Sequence, residues 1–174
     1  MPISAMGSDG FPDEVCVSGE AGSQPAREVD TRSSCRAAVL VGIGVMAAVD
    51  EIVFHQILGW HHFYDGSTST VGLLSDGLLH SAELVAIVGG FAWLIQLRGR
   101  RSLAPRWVWA GFFLGLGGFQ LFDGIVDHKV LRLHQIRYGV PLLPYDLAWN
   151  LTALLLLAVG MVLLRRARRG ALEG

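Results

Sequence analysis

Charge is scarce in this chain. Only 17% of its 174 residues are charged against 52% hydrophobic, and mean hydropathy is +0.45. That composition is too apolar for a soluble domain of this size and points to an integral membrane protein. Cysteine is scarce as well: Cys16 and Cys35 have no CxxC spacing and no nearby histidine, which argues against a thiolate zinc site and a thioredoxin-like motif and leaves two reduced thiols ahead of the first apolar run. No basic start followed by an apolar stretch is present, so no secretory leader is read, and the first membrane span is expected to direct insertion itself. Glycines occur in GxG pairs, but no strand-based nucleotide-binding unit accompanies them, which removes a dinucleotide fold. No nucleic-acid partner is expected.

What is present is four long apolar runs. At 1.5 Å per residue, about 20 residues cross a hydrocarbon core of about 30 Å. The expected organisation is all-α: a tail over 1–36, read as disordered from its polar, Gly- and Ser-rich composition, membrane helices over 37–58, 71–97, 107–128 and 146–164, and a basic tail over 165–174. Arg27, Arg32, Arg36, Arg98, Arg100, Arg101, Arg106, Arg165, Arg166, Arg168 and Arg169 fall on one side of these spans, and only Lys129, Arg132 and Arg137 fall on the other. By the positive-inside rule both termini are then cytoplasmic, in a multi-pass protein of the bacterial inner membrane with the lipid bilayer as its first partner. Trp60, Trp107, Trp109 and Trp149 read as interfacial belt residues.

Two copies of one phrase organise the chain. DEIVFHQILGWHH starts at Asp50 and DGIVDHKVLRLHQ at Asp123, identical at six of thirteen positions with an offset of 73. Gly42 and Gly44 fall on Gly115 and Gly117 at the same offset, and each copy is followed by a second element, Asp76-Gly-Leu-Leu-His80 and Asp146-Leu-Ala-Trp-Asn150. This is a tandem duplication of a helical hairpin. It predicts a four-helix bundle with a pseudo-twofold axis along the membrane normal, its polar clusters at one depth around a pocket opening outward. Gly42, Gly44, Gly115, Gly117 and Gly118 are expected to let the first and third helices approach closely.

Ionisable groups inside a membrane are costly unless paired, hydrated or bound to an ion, so these clusters are candidate functional residues. Glu51 and His55 stand four residues apart, as do Asp76 and His80, which puts each pair on one α-helical face. Such pairs suit a metal site, with Asp50, His55, His61, Asp76, His80, Asp123, His128 and His134 as candidate ligands and Glu51, Asp127, Asp146 and Asn150 around them. No Met or Cys lies at that level, so nitrogen and carboxylate donors point to zinc, iron or copper(II). Three other readings stand beside it: a haem held between two histidines, a proton or ion pathway without metal, and a structural subunit of a larger membrane complex in which the polar residues fix helix register. A metal-dependent redox or hydrolytic activity, or a respiratory accessory role, is compatible with the first.

At DEIVFHQILGWHH, DGLLH and FDGIVDHKVLRLHQIR the chain resembles a family of uncharacterised bacterial membrane proteins, the domain of unknown function numbered twenty-two forty-three. The resemblance covers about 37–164. In that family's pattern Gly stands where this chain has Glu51, and His stands where it has Lys129 and Gln135. The resemblance thus supports His55, His80, His128 and His134 as ligands and implies a fold, with no activity attached.

Overall fold

The computed structural model describes residues 29–171. Its regular structure is helical throughout. Helix α1 spans Thr31–Asp50 and continues as a π-helical segment, Glu51–Ile57; α2 spans Ser69–Gly99; α3 spans Pro105–Phe122 and continues as a second π-helical segment, Asp123–Leu131; α4 spans Leu143–Gly170. Counted with their extensions these are four helices of 27, 31, 27 and 28 residues, each long and apolar enough to cross a bilayer.

The ends differ from the expected boundaries for identifiable reasons. The Asp30 side chain accepts a hydrogen bond from Ser33 N at 2.8 Å and starts α1 before the apolar run begins. Cys35 is therefore a free thiol within a helix, while Cys16 and residues 1–28 of the expected tail lie outside the described residues. At the other terminus α4 runs on through Arg165, Arg166, Arg168 and Arg169, so that basic stretch is helical up to Gly170. Residues 172–174 lie outside the described residues.

Within the expected four-helix arrangement the helices pack in a row. α1 packs against α2 and α3, α3 packs against α1 and α4, and among the described residues α2 and α4 have no further helical neighbour. The glycines explain this order. A Cβ on Gly42 would lie 2.3 Å from Phe112 O, and one on Gly115 would lie 2.3 Å from Val39 O, so α1 and α3 touch backbone to backbone. Two residues on, about 200° around an α-helix, Gly44 faces Glu83 O and Ile87 of α2, and Gly117 faces Ala153 O and Leu157 of α4. Each central helix is thus cut away on opposite sides and takes a neighbour on each. Gly118 has nothing within 4 Å and does not serve the close approach expected of it.

One end of the row carries Asp30, Ser102 and Ala104, tied by Asp30 N to Ser102 O at 2.8 Å and Ala104 N to Ser34 Oγ at 3.0 Å. The opposite end carries both π-helical segments and the connections 58–68 and 132–142. The second π segment is capped by a left-handed residue, Arg132 at φ 53°, and the first is followed, one residue past its cap Leu58, by left-handed Gly59 at φ 56°.

Candidate metal centre

The π winding places the polar side chains. On an α-helix residues five apart point about 140° away from each other, so Asp50 could not meet His55, nor Asp123 meet His128. In a π-helix the hydrogen bond itself spans five residues, as Leu58 N to Val53 O does at 2.9 Å, and i,i+5 pairs come together. His55 Nε2 accordingly stands 3.6 Å from Asp50 Oδ2, and His128 Nε2 stands 3.3 Å from Asp123 Oδ2. Gln56 Nε2 likewise donates to Glu51 Oε1 at 2.8 Å.

The two connections fold back over these segments. His61 Nδ1 bonds the carbonyl of Ile136 at 2.9 Å, and His134 Nδ1 bonds the carbonyl of Phe63 at 2.9 Å. A carbonyl only accepts, so Nδ1 carries the proton in both rings and Nε2 keeps its lone pair. The two rings stack, centroids 4.5 Å apart and 6° from parallel. His55 meets the His61 ring edge-on at 4.5 Å, and His128 meets the His134 ring edge-on at 4.6 Å. All four rings are buried, as are Asp50, Glu51, Asp76, Asp123 and Asp127. Burial pushes the His61 imidazole down to about 2, helped by the neighbouring rings of His134, His55 and His128. Burial likewise pushes His134 down to about 4 against the opposing pull of the Phe63 carbonyl.

Ligand-capable atoms converge in three groups: Asp123 with His128 and His134, Glu51 with His55 and Asp76, and His55 with His61 and His134. In the first, His128 Nε2 lies 2.9 Å from His134 Nε2, and Asp123 oxygens lie 3.3 and 3.6 Å from those two nitrogens. Metal bonds of about 2.0–2.1 Å at tetrahedral angles put ligand atoms about 3.3 Å apart. In the second, His55 Nδ1 stands 2.6 Å from Glu51 Oε2 and 3.2 Å from Asp76 Oδ1. Neither His55 nitrogen has an aligned hydrogen-bond partner, and neither do Glu51 Oε2, His61 Nε2 or Asp123 Oδ2. Buried polar atoms left this way are ordinarily satisfied by something.

The other expected residues sit at the margin. His80 is half exposed on α2, contacts Glu83 through Nδ1 and belongs to none of the three groups. Asp146 is held by Lys129 Nζ at 2.6 Å, and Asn150 bonds the Asp146 carbonyl at 2.8 Å. Asp127 is buried beside the cluster. His62 bonds Asp76 Oδ2 through Nδ1 at 2.6 Å, and Phe63 N donates to Asp76 Oδ1 at 2.7 Å. The loop thereby closes over α2, and the signal that could have found it is the doubled His61-His62 opposite an acidic helix start. The expected polar pocket is instead a packed cluster flanked by a cavity of about 410 Å³ with apolar walls, among them Met46, Phe54, Trp60 and Trp149. Trp149 is buried there and is no belt residue.

Residues 37–167 match the model of a family described as predicted membrane protein, DUF2243. Comparison with curated proteins and with solved structures finds no match.

Proposed function

The chain belongs to that DUF2243 family of membrane proteins, and on this premise we propose that it is a metal-binding protein of the bacterial inner membrane whose centre lies near the outer face. The observation that carries the proposal is the trio Asp123, His128 and His134: buried, with ligand atoms at 2.9, 3.3 and 3.6 Å, and with His134 held in the tautomer that frees Nε2. A ring whose second nitrogen is fixed by a carbonyl is the usual arrangement of a ligating histidine. Two nitrogens and a carboxylate suit zinc, iron or copper(II). Three protein ligands leave a coordination position open, and a metal there would supply Lewis acidity or redox chemistry toward water or dioxygen. Asp50, His55, His61 and Asp76 complete the surrounding set. The close packing of the four imidazoles, with His61 and His134 each within 4.5 to 6.2 Å of the other three ring centroids, favours a bare ion over a haem, which needs a slot between its axial rings.

The same proposal includes a parallel repeat of two hairpins. It is supported by contacts that recur at the sequence offset of 73: His61 to Ile136 is answered by His134 to Phe63, and Gly42 against α3 by Gly115 against α1. Arginines at the end opposite the cluster support cytoplasmic termini. Inward of Glu83 and Gln120 the inner halves of α1, α3 and α4 are almost wholly apolar, which favours a fixed centre over a proton path. The test is retention of metal by His134→Ala and Asp123→Asn in protein purified in mild detergent. Loss of metal from inserted, monodisperse variants is expected; unchanged metal content would overturn the assignment.

A further inference from the structure

Resting on the metal reading above, we infer that the cluster holds two ions, the second on Glu51, His55 and Asp76. Those three residues are buried and bring one nitrogen and two carboxylates together, with His55 Nδ1 2.6 Å from Glu51 Oε2 and 3.2 Å from Asp76 Oδ1. Both His55 nitrogens and Glu51 Oε2 lack an aligned hydrogen-bond partner. His55 turns its other nitrogen, Nε2, toward Asp50, so its ring stands between this group and the rest of the cluster.

The second hairpin shows how the same place is filled where no ion is needed. Its counterpart of Asp76 is Asp146, and Lys129 Nζ lies on that carboxylate at 2.6 Å. At the offset of 73 the counterpart of Lys129 is the neutral Gln56, and the counterpart of Glu51 is Gly124. Any Cβ at Gly124 would fall 2.7 Å from Asn150 Oδ1 and from Trp149 Cδ1, so no carboxylate fits there. At this place, leaving aside Asp123 and Asp127 of the same half, the second hairpin thus sets one carboxylate, Asp146, against a lysine ammonium. The other has two carboxylates, no lysine, and an imidazole nitrogen facing both. Asp76 is met by His62 Nδ1 and Phe63 N, and Glu51 Oε1 accepts from Gln56, but among the described residues no ion pair joins either carboxylate to Lys or Arg, and Glu51 Oε2 has no aligned donor. Buried carboxylates need a counter-charge, and a divalent cation matches two carboxylates as the ammonium matches one. A donor set of one nitrogen and two carboxylates suits zinc, iron(II) or manganese(II).

The test is titration of the chelator-stripped full chain in detergent with cobalt(II), followed by its visible absorption and by elemental analysis after dialysis. The wild type is expected to take up two equivalents. Gln56→Lys, a change at an exposed position that copies the second hairpin, and Glu51→Gln are each expected to take up one. A wild type that saturates at one equivalent, with Gln56→Lys unchanged, overturns the second ion and leaves the first reading standing. Variants that still bind two overturn the assignment to these residues, and a chain that binds no cobalt overturns both readings.

Discussion

Replacing Gly115 by alanine should cost stability out of proportion to one methyl group. The added Cβ would stand 2.3 Å from Val39 O and 3.0 Å from Gly42 Cα, where ordinary contact begins at 3.4 Å, so α1 and α3 must part by 1.1 Å (3.4 − 2.3) at their crossing. The opposing atoms are backbone and cannot swing aside as a side chain would. Overpacking costs roughly 1–3 kcal/mol, and this geometry belongs at the upper end. The higher helix propensity of alanine returns up to about 1 kcal/mol, leaving a net loss of about 2 kcal/mol. For a chain of this length that is a fall in Tm of roughly 4–8 °C. The control is Gly118→Ala three residues on, where nothing lies within 4 Å and only the propensity gain applies. Thermal unfolding of both variants in the same detergent reads the difference. Equal midpoints would refute the backbone contact between α1 and α3, and with it the row of helices that brings Asp50 and Asp123 to one level.

Three further outcomes follow from the site. In metal-free protein, His134 titrates near 4 when folded and near its ordinary 6.5 when unfolded, so its contribution to stability is complete above pH 6.5 and is lost as pH falls from 6.5 toward 4. The wild type should therefore lose about 3 kcal/mol more than His134→Gln between pH 7.5 and 4.5, read as the difference between their denaturation curves; identical pH dependence would mean that this imidazole is not buried neutral. His80→Ala should retain its metal, because the side chain is half exposed and pairs with Glu83 outside the three ligand groups; metal loss would make His80 a ligand. Lys129→Met should lower stability by about 1 kcal/mol through the partly exposed Asp146 it leaves unpaired, with metal content unchanged by elemental analysis.

The four membrane helices were legible because hydropathy over some twenty residues is a property of composition alone. Their order in the row was not, since hydropathy says nothing about neighbours, although Gly42 and Gly44 carry that information in lying two residues apart and so on opposite faces. Which residues converge was legible in large part through the duplicated histidines and aspartates, His80 excepted. Its geometry was legible only in part, because the winding changes at Glu51 and at Asp123. The spacing of four from Glu51 to His55 does become a contact, at 2.6 Å, whereas on α2 Asp76 and His80 have different partners and His80 turns to Glu83; the spacing of five from Asp50 to His55 and from Asp123 to His128 is the one that only π winding turns into contacts. His62 carries no such signal, since a loop histidine next to a repeated one has no periodicity; only the fold of 58–68 onto Asp76 gives it a role.

The most direct measurement is the metal content and absorption spectrum of the protein purified in mild detergent from its native membrane without chelator. At least one equivalent of zinc, iron or copper per chain, and no Soret band, is the predicted result. Protein that carries neither metal nor chromophore, or one that shows a Soret band, would contradict a bare-ion centre on Asp123, His128 and His134.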